Sequence, residues 1–76
     1  PQLHLVSVQS VPVAGGYDLT VILEQTQLGE AYQLNIPLAV TLAGESAVVT
    51  KVVGMRDKRA KITLRFESQP LRVDVD

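Results

Sequence analysis

The chain contains no cysteine and no tryptophan, a single histidine and three other aromatics, Tyr17, Tyr32 and Phe66. Without cysteine there is neither a disulfide nor a thiolate metal site, so stability must come from packing, and the redox compartment is left open. One histidine, His4, cannot build a typical zinc site or a histidine-based nucleophilic triad. Placed between Leu3 and Leu5, it reads as a solvent-facing strand residue. No apolar run approaches the roughly 20 residues that cross a bilayer, and no charged segment followed by an apolar one marks a signal peptide. These absences predict no bound cofactor, no metal and no membrane partner. The lack of an initiator methionine and the abrupt stop at Val75-Asp76 suggest an excerpt of a longer protein.

What is present is enough for one domain spanning residues 1–76. Apolar residues make up 46% and charged residues 20% of the chain, which is globular rather than disordered composition. A chain of this size buries only about 60% of the surface it exposes when unfolded, so its core must be economical. The net charge of −1 gives no strong field for steering a polyanion.

Period-two alternation dominates, as in strands whose successive side chains point to opposite faces. Tyr17, Leu19, Val21 and Leu23 share one parity against Asp18, Thr20 and Glu24. From Tyr32 to Leu42 the apolar residues Tyr32, Leu34, Ile36, Leu38, Val40 and Leu42 hold one parity straight through Pro37. Proline lacks the N–H of a sheet ladder, so Pro37 is expected where pairing changes. It marks either a bend at which the strand leaves one sheet for another or a plain edge strand. Further strands are expected over Leu3–Gln9, Ser46–Gly54, Ala60–Phe66 and Leu71–Val75. In the fourth segment Val48, Val49, Val52 and Val53 come in pairs, which fits a strand buried on both faces or a bulged one. Turn signals separate the segments, Gly15-Gly16 among them as a hairpin turn. The pattern predicts an all-β fold, a small immunoglobulin-like β-sandwich of six or seven antiparallel strands, with meander or Greek-key order undetermined. Parity assigns all three aromatics to the core.

Little chemistry is legible. The carboxylates are scattered over outward strand positions and turns, with no sign of the close pair that glycoside hydrolysis needs. Asp74 and Asp76 share one strand face, where calcium could bind, but no further oxygen donors accompany them, so they read as solvated charges. Six of the seven basic residues, Lys51, Arg56, Lys58, Arg59, Lys61 and Arg65, fall in one stretch with Asp57 the only acid among them. They are the residues expected to contact a partner, read as a charged hairpin touching a neighbouring domain. No aromatic lies among them to stack on a base, so nucleic acid is not the expected partner.

The order of the pieces resembles a known module. LHLVSVQSVPVAGGYDLTVILEQTQ, then AYQLNIPLAVTL, a charged segment, ITLRF and SQPLRVDVD are similar to the small β-sandwich behind the catalytic domain of aminopeptidase-N-like zinc metallopeptidases. The likeness is carried by the L-x-Q-T-Q run from Leu23 to Gln27, by Ile36-Pro37-Leu38, and by the closing P-x-x-V-x-V-D from Pro70 to Asp76. In that family the sandwich packs between a thermolysin-like catalytic domain and a helical region, and the chemistry belongs to an H-E-x-x-H helix with a further glutamate. Nothing in this chain matches that motif, so no catalytic or metal-binding residue is carried over. The resemblance implies a non-catalytic structural module between neighbouring domains, itself a monomer when isolated. An independent immunoglobulin-like module that binds a protein or a glycan is the alternative.

Overall fold

A computed structural model of the chain describes residues 3–44 and 48–75. Six strands are formed: β1 Leu3–Val13, β2 Gly16–Gln25, β3 Leu34–Leu42, β4 Val48–Met55, β5 Arg59–Phe66 and β6 Pro70–Val75. They pair in two antiparallel three-stranded sheets, β1-β2-β5 and β4-β3-β6, which stack as a β-sandwich. The hairpins β1–β2 and β3–β4 found the two sheets. Each is then completed by a later strand, because the chain crosses to the first sheet as β5 and back to the second as β6. The molecule is a slab of 42 × 23 × 16 Å, long because its longest strands run ten and eleven residues.

The alternation of β2 and β3 sets the core. Leu19, Val21 and Leu23 face Ile36, Leu38 and Val40 from the opposite sheet, and Val53, Met55 and Phe66 close the cluster from β4 and β5. Leu19, Val21, Leu23, Leu38 and Val40 are almost wholly buried, each worth about 1.5–3 kcal/mol of transfer out of water. Both middle strands are therefore buried on one face and paired on both edges. The turn Ala14-Gly15 joins β1 to β2, with Gly15 at φ +81°, a left-handed conformation that favours glycine. This is the hairpin the sequence predicts.

Four expectations need correction. β3 is the central strand of its sheet and stays within it, so Pro37 marks neither an edge strand nor a crossing between sheets. Pro37 lies opposite Val52 on β4 without a register shift, and the described register with β6 runs over Leu38 to Leu42. β4 shows no register shift against β3, so the paired valines are neither a bulge nor a doubly buried strand. Val49 and Val53 point inward while Val48 and Val52 are 57% and 67% exposed. Tyr32 precedes β3 and is 53% exposed, because the chain is still in the β2–β3 connection at that residue. Finally, β4 and β5 belong to different sheets, so Lys51 to Arg65 is not a hairpin. Of the expected fourth strand, Ser46 and Ala47 lie outside the described residues.

Candidate functional site

The stretch of six basic residues is divided by the crossing from β4 to β5. Lys51 lies opposite Leu38 in the β3–β4 register, on the core side of an edge strand, with its residue exposed. Arg56 follows the end of β4. Lys58 is half-buried in the connection, its Nζ donating a hydrogen bond to the carbonyl of Gln27. Arg59, Lys61 and Arg65 lie on the outer face of β5, opposite Glu24, Ile22 and Asp18 of β2.

Two of these cations are neutralised in place. Arg65 Nε donates to Asp18 Oδ1 at 2.7 Å, and Arg59 Nη1 meets Glu24 Oε2 at 3.3 Å. Thr20 and Thr63 hydroxyls stand 3.5 Å apart between the two pairs. The outer face of β2–β5 thus carries matched cross-strand partners at three positions, and only Lys61, opposite Ile22, is a charge there without an opposite partner among the described residues. The side chains of Lys51, Arg56 and Lys61 make no ion pair or hydrogen bond among the described residues.

A polar cluster that the sequence did not reveal lies at the end of β2. Gln25 is 3% exposed, and both ends of its amide are fully used. Its Nε2 donates to the carbonyls of Tyr32 at 2.8 Å and Asp57 at 3.2 Å, while its Oε1 accepts from Tyr32 N at 2.8 Å and Gln27 Nε2 at 2.7 Å. Its backbone N–H donates to Lys58 O at 2.7 Å. One side chain therefore clamps the β2–β3 connection and the β4–β5 crossing together. Four hydrogen bonds leave none of the amide's donors or acceptors orphaned, which a buried polar group requires. Gln27 joins the cluster and reaches Glu30 O at 3.3 Å, while its own Oε1 is buried with no donor. A signal for Gln25 was available, since it occupies the next core-facing position after Tyr17, Leu19, Val21 and Leu23.

Beside this cluster an open cleft of about 280 Å³ is lined by Gln33, Leu34, Asn35, Gly54, Met55 and Arg56. Its lining includes two amide residues and one arginine beside Leu34 and Met55. His4 is exposed opposite Glu24, as expected of a solvent-facing strand residue. Asp74 Oδ2 is 2.9 Å from Arg72 Nε, and Asp76 lies outside the described residues. Among the described residues no group of three or more histidine or carboxylate side chains gathers to hold a metal. No protein-family model, curated protein or solved structure matches this chain.

Proposed function

We propose that this chain is a non-catalytic, immunoglobulin-like sandwich module of a larger aminopeptidase-like metallopeptidase, supporting and orienting its neighbours. The observation that carries the reading is where the polar side chains are used. Asp18, Glu24, Arg59 and Arg65 tie β2 to β5, and Gln25, Gln27 and Lys58 tie the connections to one another. Groups engaged in this way hold a rigid spacer together. Lys51, Arg56 and Lys61, which have no such engagement, are the residues that would meet a neighbouring domain. The resemblance in Leu23–Gln27, Ile36–Leu38 and Pro70–Asp76 supplies the kind of parent.

The test is the reading frame that encodes this chain. An H-E-x-x-H helix with its downstream glutamate is expected there, and a frame without one overturns the metallopeptidase reading. The cleft at Arg56 favours a second reading, an independent recognition module for a protein or glycan. That reading expects saturable binding of an acidic peptide or an oligosaccharide to the isolated chain, abolished by Arg56→Ala and absent under the first reading.

A further inference from the structure

Two stacked open sheets have four edges, and an edge strand is a template for pairing unless something blunts it. Three edges here are blunted. β1 carries a register shift between Leu5 and Ser7, with Pro12 further along. β5 carries Arg59, Lys61 and Arg65, and two residues of β2 neutralise its arginines. β6 is six residues long, begins at Pro70, has a register shift opposite Thr41 and Leu42, and bears Arg72 and Asp74.

β4 differs from all three. Its eight residues, VVTKVVGM, pair with β3 without a shift and contain no proline. Its outer face carries Val48, Thr50 and Val52, with no charge, and both valines are largely exposed. The one blunting device is Lys51, which points to the core side.

We infer that the free edge of β4 pairs antiparallel with β4 of a second copy of this chain, about a two-fold axis through Thr50. The composition of the outer face favours that register over the one centred on Lys51. Faces are preserved only when paired positions share parity, since a one-residue slip exchanges inside for outside. A two-fold centred on Lys51 would set Lys51 against its own copy, and like charges directly opposite are destabilising. Centred on Thr50, the outer face pairs Thr50 with Thr50 and Val48 with Val52 in both directions, which are favourable threonine and β-branched contacts. Lys51 then lies opposite Val49, diagonal to the other Lys51 at about 7–8 Å. The charged positions of β5 face the outer side of the first sheet, away from this edge. The product is one six-stranded sheet across two molecules, closed because each copy contributes its least blunted edge.

Edge pairing buries little area, so a weak, reversible dimer is expected. Sedimentation equilibrium of the 76-residue chain over micromolar to millimolar concentrations should give a monomer–dimer fit. Thr50→Lys should weaken it about ten-fold by placing lysines face to face, and Lys51→Gln should tighten it a few-fold. Val52→Lys alone should weaken it, and adding Val48→Glu should restore it, because those two positions oppose each other only in the register centred on Thr50. Far-ultraviolet circular dichroism checks that each variant keeps its strands. A monomer at every concentration, association beyond a dimer, or a dimer indifferent to Thr50→Lys overturns the inference, as does failure of the double variant to rescue.

Discussion

The two outer faces of the sandwich obey the same alternation and differ in chemistry. On the first sheet, Asp18, Thr20 and Glu24 of β2 meet Arg65, Thr63 and Arg59 of β5. On the second, Asn35, Pro37, Ala39 and Thr41 of β3 meet Gly54, Val52, Thr50 and Val48 of β4 without a charge, and the ion pair of that face, Arg72 with Asp74, lies on β6. The first face pairs four of its charges across the strands and leaves Lys61 opposite Ile22, and the second leaves the β-branched side chains of β4 in contact with water. Burial of the inner faces is what folds the chain, so the outer faces are free to diverge. Their difference marks which side of the slab is finished and which is available to another surface.

The largest effect should come from substitution across the thickness of one sheet. Leu38→Asp places a carboxylate at a fully buried position between the two sheets, and several kcal/mol of desolvation stand against a total stability of about 5–15 kcal/mol. Cooperative thermal unfolding should be lost. Val52→Asp, on the outer face of the adjacent strand, should change stability by no more than about 0.5 kcal/mol. Similar losses at both positions would mean that the second sheet is covered on both sides in solution. Next in size is Gln25→Leu, which keeps the volume but strips the clamp from Tyr32 and Asp57. The unmatched Tyr32 N–H and the freed carbonyls should cost about 2–4 kcal/mol in a denaturant titration. Gln25→Glu should be no better, because a carboxylate cannot donate to the two carbonyls that the amide Nε2 serves.

Most of this fold was legible in parity alone. The inward faces of β2, β3 and β5 follow directly from which alternate residues are apolar, because a half-buried strand admits one answer; in β6 a register shift passes over Leu71, which is 62% exposed, Val75 is 39% exposed, and only Val73 of the expected inward set packs on the core. β4 was not legible in that way: its valines occupy both parities, and only the register against β3 separates Val49 and Val53 from Val48 and Val52. Tyr32 was misread because its parity continues that of β3 into a segment that is not strand. The basic stretch was misread as a hairpin because proximity in sequence carries no information about which sheet a strand joins. Gln25 shares the parity of Leu19, Val21 and Leu23, but its residue type masked that signal, and its role as a clamp shows only with its partners from two distant connections in place.

Smaller effects separate the two sheets at their glycines. A Cβ built on Gly16, where β2 begins, would lie 2.3 Å from the carbonyl oxygen of Phe66, so backbone has to move. Gly16→Ala should cost about 1–3 kcal/mol, as overpacking does. At Gly54, on the outer face of the second sheet, an added Cβ meets nothing within 4 Å. Gly54→Ala should be neutral or stabilising by up to about 1 kcal/mol, because alanine leaves the unfolded chain less freedom to lose. The two variants should move the melting temperature in opposite directions, or the first alone should lower it.

The smallest effect concerns the ladder itself. Asp18 and Arg65 approach to 2.7 Å, yet both side chains are more than a third exposed. Exposed pairs contribute about 0.2–1 kcal/mol, and salt screens them over a Debye length of about 10 Å at 0.1 M. Asp18→Asn should therefore destabilise by less than about 1 kcal/mol at low ionic strength, and the difference from the parent chain should shrink as sodium chloride is raised to about 1 M. The same salt series applied to Val52→Thr on the other face should leave its difference from the parent chain unscreened, since no charge is involved there. If Asp18→Asn instead costs several kcal/mol at every salt concentration, the ladder is shielded from water, and the first face is covered in solution rather than finished.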